Sequence, residues 1–148
     1  CTGKILLAHF AGYQGELAVK NMVSNNSEKS DSRVVPSAIF TDPEIATVGV
    51  NEDLARSQGI DINIHKFDFL GSGMARILGE SDGFIKIISQ KNNSEIIGAS
   101  IIGPKATELI AFFNLAIKNE LKTTQVADTI IAHPTLSEAI TIALKENK

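Results

Sequence analysis

Within Ala132-His133-Pro134-Thr135-Leu136-Ser137-Glu138 a histidine stands before a proline and a carboxylate follows one helical turn or so later. Pro134 disfavours the α conformation for His133, so the ring is presented from an extended or turn segment just outside any helix that follows. Thr135 is a suitable N-cap and the run Leu136 to Leu144 carries apolar residues at helical spacing, which predicts a helix with Glu138 in its first turn. A carboxylate placed there can accept a hydrogen bond from one imidazole nitrogen, fix the tautomer and raise the basicity of the other nitrogen, as a general base requires. The same residues spell something plainer. Thr135-Leu-Ser-Glu138 is also a capping box, in which the threonine side chain bonds the Glu138 N–H and the glutamate reaches back to that of Thr135. On residue types alone both assignments stay open.

The other chemistry-bearing residues are sparse. His9 sits in a helical pattern and reads as a partly exposed helix residue. His65 lies inside a strand pattern with no acidic or histidine partner at ligand spacing, and no two of the three histidines could share a metal, so no metal site is expected. A single cysteine cannot form an intrachain disulfide and mildly favours a reducing compartment. Gly71-Ser72-Gly73 does not complete a glycine-rich dinucleotide fingerprint and is expected to mark a turn.

The elements that must position His133 can be read in order. Lys4 to about Val23 has a helical pattern weakened by Gly12 and Gly15. Ser24 to Arg33 is polar and serine-rich, the composition of a linker, and places a boundary between residues 1–33 and residues 34–148. Strands follow at Ser37 to Phe40 and Ala46 to Val50 around the Thr41-Asp-Pro-Glu44 turn, then a short helix from the N-cap Asn51 to near Gly59, then a strand from Ile62 to Leu70. Gly83 to Gln90 and Glu95 to Gly103 form a hairpin across Lys91-Asn-Asn-Ser94. Its strands are apolar on both sides and need covering on both. Pro104 opens the strongest helix, running to about Asn119, whose apolar arc extends from Leu109, Ile110, Phe113, Ala116 and Ile117 to Phe112 and Leu115. A short helix from Thr123 to Thr129 leads into the histidine motif. The expected architecture is α+β: an antiparallel sheet with helices packed mainly on one face.

Composition narrows the classes. With 148 residues, 43% hydrophobic and 21% charged, the chain can bury roughly two thirds of its unfolded surface in one core. A net charge of -3 offers no basic excess for nucleic acid, and no apolar run is long enough to cross a bilayer. Beginning at Cys1-Thr2-Gly3 rather than at Met, the sequence reads as a piece of a larger protein.

Four segments carry a resemblance in a fixed order: Val35 to Gly49 (VPSAIFTDPEIATVG), Gly79 to Ile87 (GESDGFIKI), Ile96 to Ile110 (IIGASIIGPKATELI) and the final HPTLSEA. Together they resemble the C-terminal dimerisation domain of the flavin-dependent pyridine nucleotide-disulfide oxidoreductases, in wording closest to the dihydrolipoamide dehydrogenases. The resemblance implies an enzyme that oxidises dihydrolipoamide to lipoamide with FAD, a redox-active disulfide and NAD. It implies a homodimer in which His133, paired with Glu138, reaches the partner's active site, and lipoyl-bearing subunits of a 2-oxo acid dehydrogenase complex as partners. It also implies that Leu6, Leu7, Ala8 and His9 begin the helix that closes the flavin domain, with backbone groups near the flavin, and that His133–Pro134 is a cis bond. No cofactor is expected to bind to this piece alone, which lacks the cysteine pair and both nucleotide fingerprints and is expected to be inactive. The implied compartment is the bacterial cytoplasm or the mitochondrial matrix. Two rivals stand beside this: another flavin disulfide reductase acting on glutathione or a similar thiol, and a non-catalytic oligomerisation module.

Overall fold

The hairpin that reads most plainly in the sequence is the centre of the sheet. The computed structural model describes residues 3 and 5–146; Lys4, the expected start of the first helix, lies outside them. Five strands, β1 (Ser37–Ile39), β2 (Ile45–Gly49), β3 (Ile62–Asp68), β4 (Phe84–Gln90) and β5 (Ile96–Ile102), form one sheet in the order β1-β2-β5-β4-β3, with every neighbour antiparallel. In the β4–β5 hairpin Phe84 pairs with Ile102 and Ile88 with Gly98, with an irregularity after Ile88. β2 adds to the outer side of β5 and β3 to that of β4.

Alternation along the strands sorts the two faces. Ala46, Val48, Phe67, Ile85, Ile87, Ala99 and Ile101 share one face and are all buried. Helix α4 (Ala106–Lys118) covers that face over β2 and β5, and α6 (Glu138–Glu146) lies against β3 and β4. Ile110, Phe113, Ala116 and Ile117 of α4 join Ala139, Ile140, Ala143 and Leu144 of α6 in one hydrophobic core. Full burial of a side chain such as Phe113 stabilises by about 1.5–3 kcal/mol. The opposite face carries Thr47, Lys86 and Ser100, and α2 (Glu52–Ser57) reaches it through a Glu52–Lys86 ion pair. The helices therefore do pack mainly on one face, as expected.

Several local expectations shift. α4 does not begin at Pro104: Lys105 adopts the left-handed region (φ 55) and the first helical residue is Ala106. Its cap comes from far away in sequence, since the Glu44 carboxylate accepts from the Thr107 N–H (3.0 Å) and hydroxyl (2.7 Å). Those donors hold the Glu44 carboxyl below the usual carboxylate range. Between β5 and α4, Gly103 (φ 141) allows the turn to close against the Phe69 ring, where an added Cβ would lie 2.6 Å from a ring carbon.

Gly71-Ser72-Gly73 marks more than a turn. A one-turn 3-10 helix (Phe69–Gly71) ends β3 early, and Ser72 then caps α3 (Gly73–Leu78) by accepting from the Ala75 N–H. The polar Ser24–Arg33 stretch does not run free: after α1 (Ala8–Ser24) it folds back, with Glu28 accepting from Lys20 and Asn26 while Asn21 brackets the Glu28 backbone. A short 3-10 turn at Ser32–Val34, capped by Asp31, then leads into β1. α5 (Thr123–Ala127) is shorter by two residues than expected and packs on α6.

Candidate active site

The segment between α5 and α6 leaves His133 outside the core while its continuation is tied into it. Leu136 is buried with Ala139 and Ile140, so the helix is anchored immediately after the motif. His133 itself has 80% of its side chain exposed, and the His133–Pro134 bond is cis.

Glu138 is the first residue of α6 and uses both of its oxygens. Oε1 lies 2.8 Å from His133 Nδ1, and Oε2 accepts from the Thr135 N–H at 2.8 Å. Glu138 thus makes a contact belonging to each of the two assignments that residue types left open, each with its own oxygen. Only half of the capping box forms, however. The Thr135 hydroxyl donates to the Ala132 carbonyl (2.8 Å) instead of accepting from Glu138, and the turn ahead of α6 closes through Ala139 N–H to Leu136 O and Ile140 N–H to Ser137 O.

The protonation states follow from the partners. The hydrogen bond from His133, then that from the Thr135 amide, hold the Glu138 carboxyl below the ordinary carboxylate range, against a smaller opposing effect of burial. At neutral pH Glu138 is therefore ionised and can only accept, so the proton of a neutral His133 resides on Nδ1. Nε2 is left with its lone pair directed outward and makes no hydrogen bond among the described residues. A surface imidazole with a fixed tautomer, a carboxylate on one nitrogen and an open second nitrogen can take a proton from an approaching acid and return it.

The four residues implied in cofactor contact separate into two groups. Leu6, Leu7 and Ala8 line one hollow with Gly3, Ala11 and Gln14 at the start of α1. Leu7 occupies the N-cap with extended backbone and no side-chain cap, so the first-turn N–H groups keep their donors. The His9 ring points elsewhere: its Nε2 lies 2.8 Å from the Pro36 carbonyl, tying α1 to the approach of β1. His65, expected to be structural or surface, is buried, with Nε2 3.1 Å from Ser89 Oγ. No group of three or more potential metal ligands occurs among the described residues. No helix among them is long and apolar enough to cross a membrane.

This fold and the motif beside α6 define a class. The dimerisation-domain model of the pyridine nucleotide-disulphide oxidoreductases matches residues 35–144, and the chain belongs to that family. Within it, the chain is 47% identical over 137 residues to the dihydrolipoyl dehydrogenase of Chlamydia muridarum, covering 93% of this chain and 29% of that relative. A dihydrolipoyl dehydrogenase of Bacillus subtilis is 41% identical over 138 residues, with the same coverage of both chains. Among solved structures, LpdA from Mycobacterium tuberculosis superposes with a TM-score of 0.92 at 29% identity, over 99% of this chain and 32% of that one. The chain thus spans under a third of the length of these relatives.

Proposed function

We propose that this chain is the dimerisation domain of a dihydrolipoamide dehydrogenase and supplies His133 as the acid/base of its thiol–disulfide step. The observation that carries the proposal is the 2.8 Å contact from His133 Nδ1 to Glu138 on an otherwise exposed ring. Thiolate, not thiol, attacks a disulfide, so a base at the substrate sulfur sets how much nucleophile is present. In the proposed step Nε2 accepts the proton of one dihydrolipoamide thiol, and the sulfur attacks the redox disulfide of the longer enzyme, releasing one of its sulfurs as thiolate. Glu138 offsets the charge of the imidazolium that forms. The second substrate thiol, giving its proton to water, then attacks the substrate sulfur of the resulting mixed disulfide, which breaks the substrate–enzyme bond, closes the lipoamide ring and leaves the enzyme sulfurs as a reduced pair carrying the two electrons.

FAD, when bound, conveys those electrons from the dithiol to NAD. The backbone of Leu6, Leu7, Ala8 and His9 is proposed to lie against the flavin. The uncapped N–H groups opening α1 suit a polar ring edge, while the His9 side chain remains with Pro36. His133 acts in the active site of a second copy. That contact uses α4, where Leu115 is exposed and Leu109 and Phe112 are half-buried, together with the less covered sheet face. Lipoyl-bearing subunits of a 2-oxo acid dehydrogenase complex complete the set of partners, in a bacterial cytoplasm or a mitochondrial matrix.

The test uses the full-length enzyme. Rapid mixing with dihydrolipoamide should reduce the disulfide much faster than glutathione does, and His133→Gln should slow that step without loss of bound flavin. Faster reduction by glutathione would replace the substrate assignment, and an unimpaired His133→Gln enzyme would remove the acid/base assignment. This chain alone should show no lipoamide reductase activity.

A further inference from the structure

We propose that Thr135 is a positioning residue for His133, its hydroxyl doing the work that a backbone amide does in an ordinary turn; the proposal rests on His133 being the acid/base. An imidazole with 80% of its surface in water has little packing to hold it, so its direction depends on the Glu138 bond and on the backbone beneath it. That backbone bends between Ala132 and Thr135. In a common four-residue turn the first carbonyl accepts from the fourth residue's N–H. Here the fourth N–H is unavailable, because Thr135 donates it to Glu138 Oε2 at 2.8 Å. Pro134 has no N–H to offer in its place.

The Thr135 side chain resolves the conflict. Its hydroxyl donates to the Ala132 carbonyl at 2.8 Å and closes the bend, which frees the amide for the carboxylate. One residue thereby holds both things that aim the ring: the chain just ahead of His133, and the glutamate that binds Nδ1. Thr135 is half-buried and the next residue, Leu136, is in the core, so the whole arrangement is referred to a packed point. A threonine serves here for a reason distinct from helix capping. Its hydroxyl donates back to the Ala132 carbonyl and does not accept from the Glu138 N–H, as the oxygen of a capping threonine would.

Thr135→Val removes the hydroxyl while keeping the shape and the amide, and Thr135→Ser restores it. In the full-length enzyme Thr135→Val should lower kcat for thiol–disulfide exchange about fivefold to tenfold, the worth of one hydrogen bond, with KM for dihydrolipoamide little changed. Thr135→Ser should recover the rate. Bound flavin and thermal midpoint are measured alongside, and Thr135→Ala, a second variant without the hydroxyl, must show the same fall in kcat with KM little changed. A parental kcat in Thr135→Val would overturn the proposal, as would equal impairment of Val and Ser, which would assign the effect to side-chain shape. His133→Gln separates the two levels: if it is slow while Thr135→Val is normal, only the positioning role falls, and if it is itself normal the acid/base reading falls first.

Discussion

His133 exposes 80% of its side chain and gives one ring nitrogen to a carboxylate, whereas His65 is buried and gives one to the Ser89 hydroxyl. Both have a single polar partner at hydrogen-bond distance, yet their chemistry is opposite. Protonating His133 places a cation 2.8 Å from an anion with water around the ring. Protonating His65 places a cation among apolar side chains, and burial accordingly pushes its pKa below the ordinary imidazole value. Its Nδ1 is buried without a partner among the described residues. The contrast bears on the proposed acid/base role: a group that must gain and lose a proton needs a counter-charge and an open approach, and of these two rings His133 has both.

The largest effect expected from breaking this contrast is on rate. A positioned acid/base contributes about 10² to 10⁴-fold, so His133→Gln should cost the full-length enzyme that much in disulfide reduction while leaving its bound flavin in place. His65→Leu should do the reverse, keeping the parental rate and changing stability. If His65→Leu slowed the chemistry as much as His133→Gln, the two rings would not divide rate and stability between them.

Next in size is a change that acts on the framework of both histidines. α6 begins with Glu138 and packs against β3, the strand that holds His65. Ile140, fully buried on that helix, anchors it. Ile140→Ala removes buried methylene and methyl groups and leaves a cavity, at a cost of about 2–5 kcal/mol. Urea unfolding of this chain checks it. A loss under about 1 kcal/mol would mean that α6 is only loosely docked and that Leu136 alone secures the motif.

How far the site and fold were legible follows from sequence distance. His133 and Glu138 lie five residues apart, so their encounter is a local matter that Pro134 and the helix start already specify. The hairpin of β4 and β5 was legible for the same reason: its strands are adjacent in sequence and joined by a polar turn. The insertion of β5 between β2 and β4 was not, because β2 pairs with a strand some fifty residues away and nothing in either segment names the other. The start of α4 lies beyond Pro104 for a related reason, since its cap, Glu44, is 63 residues before Thr107. α3 is hard to read because six residues are too few to show a period, and only Ser72 ahead of Ala75 signals a cap. The Thr135 hydroxyl could not be assigned from residue types: it had two acceptable partners, and the path of the backbone chose between them.

The smallest expected effect is also the one that sharpens the comparison most, because it reads the two environments in one titration. Unfolded histidine binds its proton near pH 6.5 and unfolded glutamate near pH 4.3, by ordinary values. The folded His65 value lies below the first, so between about pH 6.5 and that lower value the unfolded chain takes up a proton that the folded chain refuses; stability is full above the window and declines as pH falls through it. The folded Glu138 value lies below the second, so its contribution is full above about pH 4.3 and is lost only as pH falls through the lower folded value. Urea midpoints measured from about pH 8 down to about pH 3 should therefore fall in an upper stage that begins below about pH 6.5 and a lower stage that begins below about pH 4.3. His65→Leu should flatten the upper stage and leave the lower one, while Glu138→Gln should diminish the lower stage and leave the upper. An upper stage that persists in His65→Leu would mean that the buried imidazole is not what refuses the proton, and that its lone bond to Ser89 accommodates charge better than its surroundings imply.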